Sequence, residues 1–109
     1  MKVLRELGLW PEVAPRLRSY PSGAVAMAEL ARTPEPGLVG CTQITEIRYT
    51  PGVELVGPLP AEFELATVYS AAVGSRARHP ELARRLVDML AGPTAARLRQ
   101  AGGFSPIRR

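Results

Sequence analysis

Three short apolar runs interrupt stretches of helical period, and this alternation restricts the fold more than any other feature of the chain. "GLVGC" (residues 37–41) is bounded by turn residues and suits a strand covered on both faces. "VELVGPLP" (53–60) and "ATVYSAAVG" (66–74) carry the valines, threonine and tyrosine expected of two further strands, separated by the polar crossing "AEFEL". Helical patterns fill the intervals. Val3, Leu4, Leu7 and Leu9 form a short amphipathic stretch that ends at Gly8 and Pro11. Leu17 to Tyr20 suits a short extended segment. "PSGAVAMAELART" predicts a helix opening at Pro21 or Ser22 and closing near Thr33, and Thr42 is placed to cap a short helix with Glu46 in its first turn. Pro80 opens "PELARRLVDMLAG", with Leu82, Leu86, Val87 and Leu90 on one face, and "PTAARLRQAGG" follows as far as Gly102. The expected class is α/β, a sheet with helices on its faces.

In such sheets ligands bind beyond the carboxyl ends of the strands, where the first N–H groups of the following helices point outward. That rule gives "GCTQ" a role. Gly40, Cys41, Thr42 and Gln43 would line a cleft with backbone amides, a hydroxyl and a carboxamide. Each also has a plain structural explanation: Thr42 as a cap, Gln43 as a surface residue, Cys41 as a small buried hydrophobe.

Composition removes several classes. At 109 residues, 46% hydrophobic and 22% charged, the chain is one ordinary globular domain. The net charge of +4 is spread along the chain, with Arg84–Arg85 and Arg108–Arg109 the densest places, so a nucleic-acid footprint is not expected. The single cysteine excludes an intrachain disulfide and a multi-cysteine metal centre. His79 lies far from Cys41 in sequence, and Glu46, Glu54, Glu62 and Glu64 show no acid–base spacing, so no catalytic residue, metal or cofactor is expected. Tyr69 reads as a ring packed in the third strand. "MKVLRELGLW" lacks the apolar core of a secretory signal, and no run reaches the length of a membrane span. The chain as written reads as cytoplasmic, or as periplasmic if it belongs to a longer secreted receptor.

The order of the pieces "LRELGLWPEVAPRLRSYPSGAVAMAEL", "GLVG", "VELVGPLPAEFELATVYSAAV" and "ELARRLVDMLAGPTAARLRQAGGFSPI" resembles the C-terminal half of ABC-transporter solute-binding proteins. The branch is the molybdate-binding-like one of the type 2 periplasmic binding fold, and the terminal "GPTAA" and "GGFSP" carry the likeness most specifically. The resemblance implies a partial three-layer sheet with flanking helices, residues 1–73 forming the second-lobe portion and 74–109 the C-terminal helices. It implies an oxyanion such as molybdate, tungstate or sulfate held by hydroxyls and amides, with an ABC permease as partner of a full receptor. The family's amide contact falls at Ser22 and Gly23. Its tyrosine falls at Gly40, so Cys41, Thr42 or Gln43 would have to replace the phenolic donor. The first lobe, with its serines, is not in this sequence, and an exposed sheet edge or the terminal helices would then favour a homo-oligomer. The expected function is non-enzymatic solute binding. The alternative is a stand-alone interaction or regulatory module, oligomeric and without a solute.

Overall fold

A computed structural model describes residues 2–106, and the chain divides into two compact units, Met1–Leu65 and Ala66–Arg109. Unit 1 holds α1 (Lys2–Glu6), α2 (Trp10–Val13), α3 (Gly23–Arg32) and α4 (Ile44–Tyr49), with single 3-10 turns at Ala14–Arg16 and Ala61–Phe63. Unit 2 holds α5 (Pro80–Ala91), a 3-10 turn at Pro93–Ala95, and α6 (Ala96–Ala101).

No strand occurs among the described residues, which corrects the expected α/β sheet and with it the three-layer, type 2 periplasmic-binding arrangement. The runs 37–41, 53–60 and 66–74 contain the right residues for strands, but a strand is defined by ladder hydrogen bonds to a neighbour, and they form none with one another. Pro58 and Pro60 remove two donors from the second run. Several apolar side chains in and beside these runs stay in water, Val39 at 90% exposure, Val56 at 100% and Leu65 at 93%, while Leu38, Val53, Leu55 and Val73 are half-buried. Among the described residues there is therefore no sheet edge of the kind expected to favour self-association.

The helices follow local chemistry closely. Ser22 holds an extended backbone (φ −149°, ψ 160°), and its hydroxyl accepts from the Val25 amide at 3.3 Å, capping α3. At the other end the Thr33 hydroxyl donates to the Glu29 carbonyl at 2.7 Å, and Pro34 blocks continuation. α4 starts one residue later than the sequence suggests, because Gln43 is its N-cap and the Thr42 hydroxyl is engaged by Glu46 instead. α5 opens on Pro80 and closes at Gly92, where Arg99 Nη1 reaches back to the carbonyls of Leu90 (2.5 Å) and Gly92 (2.9 Å).

Met27 on α3 is the fully buried side chain of unit 1, 1% exposed, and α3 packs on α4 beside it. Exposed pairs decorate the rim. Arg18 donates to Glu35 at 2.7 Å, and that hydrogen bond, followed by the charge of Glu35, raises the Arg18 guanidinium above its ordinary value. In unit 2 the Tyr69 ring meets Phe104 edge-on at 5.8 Å.

Candidate functional site

The site that the sequence points to lies in unit 1, where the start of α3 and the segment leading into α4 approach each other. Gly23, the first residue of α3, has no side chain for a physical reason: a Cβ there would overlap Thr42 Oγ1 and the carboxylate of Glu46. Thr42 donates its hydroxyl to that carboxylate. Thr42 stands just before the N-cap of α4 and Glu46 in its first turn, so the carboxylate reaches back over the helix start to the hydroxyl. The two stretches singled out as Ser22–Gly23 and Gly40–Gln43, about twenty residues apart in sequence, thus come together at Gly23.

Gly40 plays a different part. A Cβ at this position would overlap the terminal methyl of Met27, so Gly40 lets the incoming chain lie directly on the core side chain of α3. Cys41 is exposed, and Thr42 is half-buried. Gln43 is exposed at the N-cap of α4 with extended backbone, φ −63° and ψ 142°. The reading of Cys41 as a small buried hydrophobe is therefore replaced by a thiol in water.

The Ser22 hydroxyl is occupied by the Val25 amide, and the Ser22 carbonyl receives the Ala26 amide. Gly23 and Ala24 open the first turn, whose amides have no intrahelical acceptor, with the partial positive charge of the helix start behind them. The arrangement offers two N–H donors, a threonine hydroxyl and a carboxylate around one glycine. Glu46 is the member outside the set expected from the sequence, where it reads as a favourable acid in the first turn of α4; its spacing from Thr42 is the signal that places it in the cluster.

A shallow groove of about 270 Å³ lies elsewhere in unit 1, lined by Val3, Phe63 and Leu65 with the carboxylates of Glu6, Glu62 and Glu64. Lys2 sits 3.5 Å from Glu6 at its edge. Among the described residues no group of histidine, cysteine and acidic side chains is arranged to hold a metal ion, and no helix is long and apolar enough to cross a membrane. His79 precedes α5 as its N-cap without a side-chain capping bond, in a different unit from Cys41.

A curated relative, aconitate isomerase from Pseudomonas sp, is 36% identical over 69 residues, which is 63% of this chain and 26% of the relative. The match thus spans about a quarter of that relative's length. Its name is that of an enzyme, and this finding stands against the expectation of a non-enzymatic chain. No solved structure matches. The family model described as bacterial extracellular solute-binding protein matches residues 1–105, nearly the whole chain, and the chain belongs to that family.

Proposed function

We propose that unit 1 contributes part of a binding site for a small carboxylate-bearing solute, at the start of α3 and the Thr42–Glu46 turn. The observation that carries this reading is the approach of Thr42 and Glu46 to Gly23, which groups hydroxyl, carboxylate and helix-start amides around a residue with no side chain. Membership of a solute-binding family supports a small ligand. The name of the relative favours a carboxylate such as aconitate over molybdate, tungstate or sulfate. The Glu46 carboxylate repels any fully ionised anion, aconitate as well as molybdate, whereas a hydroxy acid such as citrate can donate its hydroxyl to it. On this reading Ser22 holds the helix start in shape, Gly23 and the Thr42 hydroxyl face the solute, and Gly40, Cys41 and Gln43 shape the approach. The same reading assigns the chain to the receptor side of an ABC transporter, acting in the periplasm.

A second reading follows from the relative's name: the same cluster serves an isomerase, with Glu46 taking a proton from one carbon of a bound tricarboxylate and returning it to another, so that no redox change or co-reactant is needed. Incubating the protein with cis-aconitate and following the trans isomer by chromatography tests it. Conversion lost in Glu46→Gln supports the enzyme, and no conversion above buffer sinks it. The binding proposal is tested by calorimetric titration with aconitate, citrate and molybdate. Heat with the carboxylates and none with molybdate is expected, and a folded protein that gives no heat with any of the three contradicts it.

A further inference from the structure

Glu46 sets a condition on the solute that carboxylate binding alone leaves open. It is half-buried, its carboxylate stands against Gly23 at the start of α3, and the Thr42 hydroxyl donates to it. An ionised carboxylate only accepts hydrogen bonds, at about four lone-pair positions on its two oxygens, and Thr42 donates to one of them. Any part of a solute that meets this carboxylate must therefore bring a hydrogen to donate. A second carboxylate oxygen in that place would face it charge against charge.

The start of α3 asks for the opposite. Its first-turn amides are donors, and the helix start carries partial positive charge, so this side of the cluster favours an ionised carboxylate. A solute that satisfies both sides has a carboxylate and a hydrogen-bond donor within a few bonds of each other. The donor is better a hydroxyl than an ammonium, because the helix start that attracts the carboxylate repels a full positive charge. Gly23 is what lets the two demands stand so close, since a side chain there would occupy the place of Glu46. These requirements come from this chain's own groups, whatever else encloses the solute.

We propose that Glu46 makes the site selective for hydroxy acids: it accepts the solute's hydroxyl while the start of α3 takes the adjacent carboxylate, and Thr42 holds Glu46 in place. The selectivity rests on the binding of a carboxylate-bearing solute proposed above. Citrate and tricarballylate differ by one hydroxyl on the central carbon, and both are ionised at about pH 8. Calorimetric titration of the full chain with each acid measures what that hydroxyl adds, and this comparison needs no variant. Citrate should bind about tenfold tighter, the size of one hydrogen bond to a charged acceptor. In Glu46→Gln, tricarballylate should bind more tightly than it does to the parent, and the preference for citrate should fall to about threefold or less, because a side-chain amide accepts without charge. Circular dichroism checks that the variant keeps its helix content. Equal affinities for the two acids in the parent overturn the selectivity and leave carboxylate binding standing. A preference that survives unchanged in Glu46→Gln overturns it too. No heat with either acid contradicts carboxylate binding itself, and the selectivity falls with it.

Discussion

Gly23 concentrates the account at the scale of one residue. A methyl group there has to displace the Thr42 hydroxyl and the Glu46 carboxylate, which share a hydrogen bond. Gly23→Ala is therefore expected to cost about 1–3 kcal/mol, the usual range for forcing extra atoms into packed surroundings. A urea midpoint unchanged from the parent would show that the approach is loose. Glu46→Gln separates packing from charge at the same place. It keeps an acceptor for Thr42 and removes the negative charge from the start of α3, so titration with a fully ionised anion should show tighter binding than the parent does. Weaker binding would mean that Glu46 takes part in holding the ligand. Met27 is the residue on which unit 1 depends most, and Met27→Ala should cost at least about 2 kcal/mol, enough to unfold a marginal domain.

At the scale of elements, the helices were legible in the sequence because their signals are local. Ser22 three residues before Val25, Pro80 at the start of α5, and Gly92 and Gly102 beyond helix ends each act within a turn of where they stand. Strand formation is not local. Residues 53–60 and 66–74 have the composition of strands, but whether they pair depends on backbone donors and acceptors elsewhere, and a sequence pattern carries no record of them. The candidate site was legible in part for the same reason. Ser22, Gly23 and Thr42 are placed by helix-start rules, whereas the meeting of Gly23 with Glu46 requires α3 to pack on α4, which only the tertiary arrangement supplies. The cap itself can be measured. Ser22→Ala should lower stability by about 0.5–2 kcal/mol and speed amide exchange in the first turn of α3, with Val25 affected most. Unchanged exchange at Val25 would mean that the hydroxyl bond is not formed in solution.

For the whole molecule, the decisive quantity is how little is buried. Among the described residues Met27 alone is fully buried, and large apolar side chains remain exposed in both units. The surface exposed on unfolding is correspondingly small. The denaturant slope in urea should fall below about 1 kcal/mol/M, under the range for small cooperative domains. A steep single transition would show a core that this account lacks. The same exposure shows the limit of composition: 46% hydrophobic content suffices for a core, yet much of it stands in runs whose valines and leucines remain in water. The family relation and the helix-start cluster carry the functional reading, and amide shifts measured by NMR during titration with aconitate test it most directly. Saturable shifts at Gly23, Ala24 and Thr42 are expected. Shifts confined to other residues, or none at saturating aconitate, would contradict it.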